Sequence, residues 1–242
     1  KTVSLILLTA LAKLQTFYPV PFTVEAFTLD MGHAEGGKGM DFTPVADYCQ
    51  SLGVPYTLLK SDIHHMIFDI KKEKNPCSLC AKLRRGALHQ AMQTRGIRKI
   101  ALGHHFNDVI ETTVLGMFFG SQLQAMPPKL HSTNFSGMEL IRPMYCIHED
   151  SVIAWRRYND LEFIQCACRF TENCTTSGGG SKRQEVKELL RRLKQDNPDI
   201  EKSIFNSIHA VSLDTMIGYK THGELHSFLE GYDEKPPVEE PE

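Results

Sequence analysis

The first 160 residues alternate between apolar stretches of helical period and short β-branched or aromatic runs. Residues 4–16 (SLILLTALAKLQT) carry a helical apolar pattern, and 23–30 (TVEAFTLD) read as a buried strand. A glycine-rich loop spans 32–39. Residues 42–52 predict a helix that stops at Gly53, 56–60 a short strand and 63–70 a further helix. Pro76 opens a helix over 78–95 that ends at Gly96. Residues 98–103 (RKIALG) predict a strand and 107–119 (NDVIETTVLGMFF) a helix. This strand–helix rhythm predicts an α/β fold with a doubly wound parallel sheet, whose ligands meet the carboxyl ends of the strands.

Beyond Ser121 the rhythm loosens. Residues 127–137 are polar and turn-rich, 139–142 (ELIR) predict a strand, 149–160 a helix and 162–166 a short strand. Residues 175–180 (TTSGGG) read as a loop. A basic amphipathic helix covers 181–196 and another helix 199–209, while 231–242 form an acidic, proline-rich tail. The expected division is an α/β domain over 1–170, a small C-terminal helical extension over 171–230 and the tail.

Composition narrows the class. The 242 residues have a net charge of −2, with 41% hydrophobic and 23% charged residues, so nucleic-acid binding would need local basic patches. No apolar run reaches the length of about 18–20 residues that a membrane span needs. The first apolar segment lacks a basic flank and a small-residue cleavage site, so a cytoplasmic setting without a signal peptide is expected. The chain opens on Lys1-Thr2-Val3-Ser4, already inside a helical pattern, and further residues before it are expected.

Seven cysteines include two tight groups, Cys77 with Cys80 and Cys166, Cys168 and Cys174. Thiols three apart at the mouth of a helix can approach one centre, and the helix N-terminus favours thiolate. The chemistry open to them is zinc, an iron–sulfur cluster or a redox pair, against the alternative of inert buried cysteines. The stretch Gly103-His104-His105-Phe106-Asn107-Asp108, running to Glu111-Thr112, joins a strand to a helix, where backbone N–H groups suit an anion. Asp108 and Glu111 there could equally serve the helix dipole. Residues 32–38 fit G-x-x-x-x-G-K, yet Gly39 stands where a P-loop needs Ser or Thr for Mg²⁺, so a flexible glycine-rich loop is the better reading. Arg84 and Arg85, with Lys71, Lys72, Lys74 and Lys82, form a basic patch near the C-x-x-C; the 181–194 helix is a second.

Taken in order, S-x-x-L-L (4–8), T-L-D-M-G (28–32), P-C-S-L-C (76–80), G-H-H-x-x-D-x-x-E-T (103–112) and I-R-P-M (141–144) resemble the PP-loop ATPases. Within them, the chain resembles the TtcA-like tRNA thiolases, or tRNA 2-thiocytidine synthetases. The resemblance covers residue 1 to about 215. It implies an adenine nucleotide α-hydrolase-like fold, ATP with Mg²⁺, adenylation of a tRNA base carbonyl and its replacement by sulfur through a [4Fe–4S] cluster. Partners implied are tRNA, a sulfur donor (a cysteine desulfurase or sulfide) and a second copy of the chain. By the same resemblance, Cys77, Cys80 and Cys168 would hold the cluster, with Cys166 or Cys174 as alternatives to Cys168. Asp108 would share in catalysis, and Ser4, Asp30, Gly103 and His104 would bind the nucleotide. Two departures stand out: Lys1-Thr2-Val3 occupy the place of Gly-x-Asp, and Asn107 that of the first of two aspartates. Two other functions compete. One is a cluster-dependent enzyme handling or removing sulfur on a small thiolated base. The other is a zinc-stabilised nucleotide- or RNA-binding protein.

Overall fold

A computed structural model of the chain describes residues 2–32, 40–71, 76–161 and 182–232. Helix α1 (Thr2–Leu14) carries apolar residues on two faces, and both are covered over Leu5–Leu8. Leu5 and Leu8 pack with Cys49 and Val54, while Ile6 and Leu7 pack with Met144 and Val152. Strand β1 (Ala26–Asp30), helix α2 (Thr43–Ser51) and strand β2 (Tyr56–Lys60) follow, and β1 and β2 pair in parallel from Ala26↔Tyr56 to Asp30↔Lys60. The predicted 63–70 helix forms as a short α3 (Ile63–His65) that widens into a π turn over Met66–Ile70.

Helix α4 (Pro76–Gln93) leads into β3 (Lys99–Ala101). Helix α5 (Phe106–Phe119) follows, then β4 (Lys129–His131), β5 (Glu139–Ile141) and α6 (Glu149–Tyr158). Strands β3 and β5 pair in parallel, and β4 lies antiparallel on the other side of β5. Met92 of α4 packs with Ile100 of β3 and Met138, and Phe27 of β1 joins them, so α4 ties the two parallel pairs together. The parallel pairs are as expected from the sequence. Strand β4 is not: 127–137 read as turn. It is an edge strand with a single apolar residue, Leu130, and its Lys129 reaches Glu139 at 3.0 Å across the ladder. Polar edges of this kind leave no hydrophobic alternation to read.

In the C-terminal extension, α7 (Lys182–Asp196) and α8 (Ile200–Ser207) form as expected. Val186 and Leu190 of α7 are buried with Phe106, Ile110 and Val114 of α5, so the extension shares a core with the α/β unit. After α8 comes an element absent from the sequence reading of a helical extension, an antiparallel hairpin of β6 (Gly218–Thr221) and β7 (Glu224–Ser227). Most of its residues are exposed, which removes the buried face that periodicity detects. The predicted strand 162–166, the loops 33–39 and 175–180, and most of the tail lie outside the described residues. Among the described residues no helix is long and apolar enough to cross a membrane.

Candidate functional site at the carboxyl ends of the strands

Three of the predicted site residues converge where α1 begins. A Cβ built on Gly103 would stand 3.2 Å from the backbone N of Ser4 and 3.2 Å from the carbonyl carbon of Val3. Any Cβ here would force the chain leaving β3 or residues 3 and 4 of α1 to give by a few tenths of an ångström, so glycine suits the close approach. Ser4, Gly103 and the adjoining His104 therefore occupy one place, at the carboxyl end of β3, against residues 3 and 4 of α1.

The other parallel pair ends in a tight turn. The Asp30 carboxylate accepts from the backbone N–H of Gly32 at 3.0 Å, and the Asp30 carbonyl accepts from the N–H and hydroxyl of Ser61 at 3.0 and 2.7 Å. Gly32 has φ +73°, and a Cβ there would lie 2.7 Å from the Ser61 carbonyl oxygen. Asp30 thus shapes the departure of the chain from β1 and ties it to the end of β2.

At the start of α5, the backbone N–H of His105 donates to the Asp108 carboxylate at 3.1 Å, half of a reciprocal helix cap. Asp108 also lies 3.7 Å from the Arg183 guanidinium. One turn on, buried Glu111 meets Arg183 at 3.3 Å and Lys187 at 3.4 Å, and Lys187 continues to Glu149 of α6 at 3.0 Å. Burial pushes the Glu111 carboxyl above its ordinary pKa, against the opposing pull of Lys187 and Arg183. Burial likewise lowers the pKa of His104; Asp108 pulls the other way, and Arg142, Arg183 and His105 add to the lowering. His104 is therefore neutral at pH 7.

Asn107, the departure from a paired aspartate, has a structural use. Its side-chain oxygen accepts from the N–H of Glu149, the first residue of α6, at 2.9 Å, and its amide donates to Glu201 of α8 at 3.2 Å. Lys194 of α7 holds the other Glu201 oxygen at 2.6 Å. One amide therefore joins α5, α6 and α8, a task that needs both an acceptor and a donor.

Cys77 and Cys80 fall in the first two turns of α4, three residues apart and so on one face. Because α4 feeds directly into β3 and packs on it through Met92, its first turns point back toward the carboxyl ends of the strands. Cys80 is half-buried. Cys168, with Cys166 and Cys174, lies outside the described residues, and among those described no three metal-ligating side chains gather. Cys49 is fully buried in apolar surroundings, and burial raises its thiol pKa, which makes it inert. The basic helix α7 is partly committed inward: Arg183, Lys187 and Lys194 pair with acids, leaving Arg191 and Arg192 exposed.

Sequence reasoning missed these pairings, and it missed Arg142 as well, a buried cation directly after β5. The signal for Arg142 was present: an arginine set between a buried strand and a proline.

The parallel β–α units, with close backbone approach at one strand edge, define a doubly wound α/β protein. The chain belongs to the PP-loop family: the family model described as "PP-loop domain" matches residues 3–170. It is 35% identical over 211 residues to a tRNA-cytidine(32) 2-sulfurtransferase of Photobacterium profundum, covering 86% of this chain and 66% of that protein. To the protein of the same name in Methylobacillus flagellatus it is 36% identical over 205 residues, covering 84% and 63%. The chain thus spans about two thirds of the length of these curated relatives. Among solved structures it is similar to the "U34-tRNA thiolase NcsA from Methanococcus maripaludis with its [4Fe-4S] cluster", with a TM-score of 0.66 and 21% identity over 93% of this chain and 73% of that one. That likeness is one of fold.

Proposed function

We propose that this protein is an ATP-dependent tRNA thiolase that replaces a base carbonyl oxygen by sulfur, with cytidine as the base. The observation that carries the reading is the similarity to tRNA-cytidine(32) 2-sulfurtransferases over more than four fifths of the chain. The convergence of Ser4, Gly103 and His104 at the strand edge toward which the Cys77–Cys80 turns point supports it.

ATP is read as a substrate at the carboxyl edge, its phosphates meeting the backbone that leaves β3 beside Ser4, where N–H groups can favour anions. In the proposed reaction the base oxygen attacks the α-phosphorus and pyrophosphate leaves; sulfur then displaces the oxygen as AMP. Mg²⁺ would accompany the phosphates, which supply most of its ligands in sites of this type. The donor set on α4 fits a cluster, since thiolates are the ligands iron–sulfur centres use and positions three apart share a helix face. Cys77, Cys80 and Cys168 would hold it. When bound, a [4Fe–4S] cluster held by three cysteines supplies one iron with an open position for sulfur. Asp108, fixed by the His105 N–H and Arg183, would orient the turn that carries His104 rather than move a proton itself. Partners on this reading are tRNA and a donor of sulfur.

The test is anaerobic purification followed by iron analysis and AMP release. A brown protein with about four irons per chain, releasing AMP from ATP only with tRNA, is expected. Cys77→Ala and Cys80→Ala should abolish iron binding and Cys49→Ala should not. A colourless protein with one tightly held zinc would end this reading in favour of a zinc-stabilised RNA-binding protein.

A further inference from the structure

Arg142 leaves β5 at its carboxyl end with 9% of its surface exposed. A guanidinium in that position is costly unless its donors are met. Here one Nη donates to the Pro127 carbonyl oxygen, and among the described residues the buried Nε has no hydrogen-bond partner. Among the described residues no carboxylate bears on Arg142; the titratable groups that do are Tyr145 and, with like charge, the exposed Arg85 of α4. The register of the parallel pair places a second unmet group beside it. The N–H of Leu102 donates to the Ile141 carbonyl at 2.9 Å, so Arg142 emerges from β5 alongside Gly103 and His104 emerging from β3. Among the described residues His104 Nδ1 is buried and likewise without a hydrogen-bond partner; the Asp108 carboxylate and the Arg142 charge both bear on its ring.

Two arginines, with no ion pair to an acid among the described residues, and an imidazole nitrogen whose ring also faces Asp108 are complementary to an anion. Their place is the strand edge where α1 begins. We propose that Arg142, with Arg85 at the rim, binds a phosphate group, the Nε edge of the guanidinium making the forked contact that suits two phosphate oxygens. His104 Nδ1 is a third contact to the same group. This inference rests on reading the carboxyl edge as a nucleotide and RNA site, and it assigns residues that the resemblance did not. The shared chemistry is a phosphate ester, from either the adenine nucleotide or the RNA backbone.

The experiment measures affinities of AMP and of unmodified tRNA, separately, for the wild-type chain and for Arg142→Gln and Arg85→Gln, with thermal melts alongside. Arg142→Gln should weaken one of the two ligands about tenfold or more, the loss expected of a forked charge-assisted contact. Arg85→Gln, an exposed change, should weaken the same ligand by a smaller factor. A loss for AMP alone assigns the nucleotide phosphate and a loss for tRNA alone the backbone phosphate. Both affinities within about twofold of wild type in both variants would overturn the proposal, leaving Arg142 as a brace for Pro127. If Arg142→Gln fails to fold, phenylglyoxal labelling of the wild-type chain, read by peptide mass spectrometry, decides. Protection of Arg85 or Arg142 by AMP or by tRNA supports the proposal, and protection by neither overturns it. A chain that binds AMP through Arg142 yet thiolates no tRNA would sink the proposed function and leave this inference standing.

Discussion

Asn107→Asp restores an aspartate to the position where the resemblance expects one, and it should destabilise this chain. The substituted carboxylate keeps the acceptor for the Glu149 N–H and gains from the N-terminus of α6, a benefit of about 0.3–1 kcal/mol. It loses the N–H that donates to Glu201, a bond to a charged group worth about 1.5–3 kcal/mol. It also brings two carboxylates to the 3.2 Å that now separates the amide from Glu201. Lys194, 2.6 Å from the other Glu201 oxygen, offsets part of that repulsion. The balance is a loss of about 2 kcal/mol, or about 4–8 °C in Tm for a chain of this size. Urea denaturation of Asn107→Asp, Glu201→Gln and the double variant forms a double-mutant cycle. The amide introduced by Glu201→Gln can donate to the carboxylate introduced by Asn107→Asp, so the double variant should recover about 1 kcal/mol or more relative to additivity. An Asn107→Asp protein as stable as wild type, or a cycle with no coupling, would refute the idea that this amide locks α5, α6 and α8 together.

Three further outcomes are expected. Gly103→Ala should push the first turn of α1 away, since backbone atoms of Val3 and Ser4 stand 3.2 Å from the added carbon; a cost of about 1–2 kcal/mol and weaker AMP binding are expected, and an unchanged melt with unchanged affinity would show that the contact is slack. Because burial raises the Glu111 pKa in the fold, its contribution to stability is full below the ordinary carboxylate range and is lost as pH rises through the folded value. Glu111→Gln should therefore gain stability relative to wild type as pH is raised across that range; a difference that stays constant in denaturation series would contradict the assignment. Charge reversal at Arg191 and Arg192, the exposed pair on α7, should weaken tRNA binding and flatten its salt dependence, and superimposable filter-binding curves would make that face merely solvated.

The parallel core was legible because its signals are local. Residues 56–60 read as a strand and are β2; α1, α4, α5 and α7 fall within a few residues of their predicted bounds. What escaped was polar or exposed: β4 at a sheet edge, and the β6–β7 hairpin, most of whose positions face water. The resemblance implied a shared nucleotide role for Ser4 and Gly103, yet the close approach of the two, and the reason for the glycine, are visible only in three dimensions. The charges of α7 show the same limit. Their helical spacing reads as a basic face, but Arg183 and Lys187 reach Glu111 through a packing of α7 on α5 that no local pattern encodes. Arg142 stands within I-R-P-M, but the burial of an arginine is a property of its neighbours, which the motif does not encode.

The proposed sulfur transfer to a tRNA base predicts a difference between the tRNA nucleosides of cells with and without this protein. Digestion and mass spectrometry should show 2-thiocytidine in the first sample and unmodified cytidine in its place in the second, with Cys77→Ala behaving as the deletion. Identical thionucleoside profiles in the two samples would contradict the account.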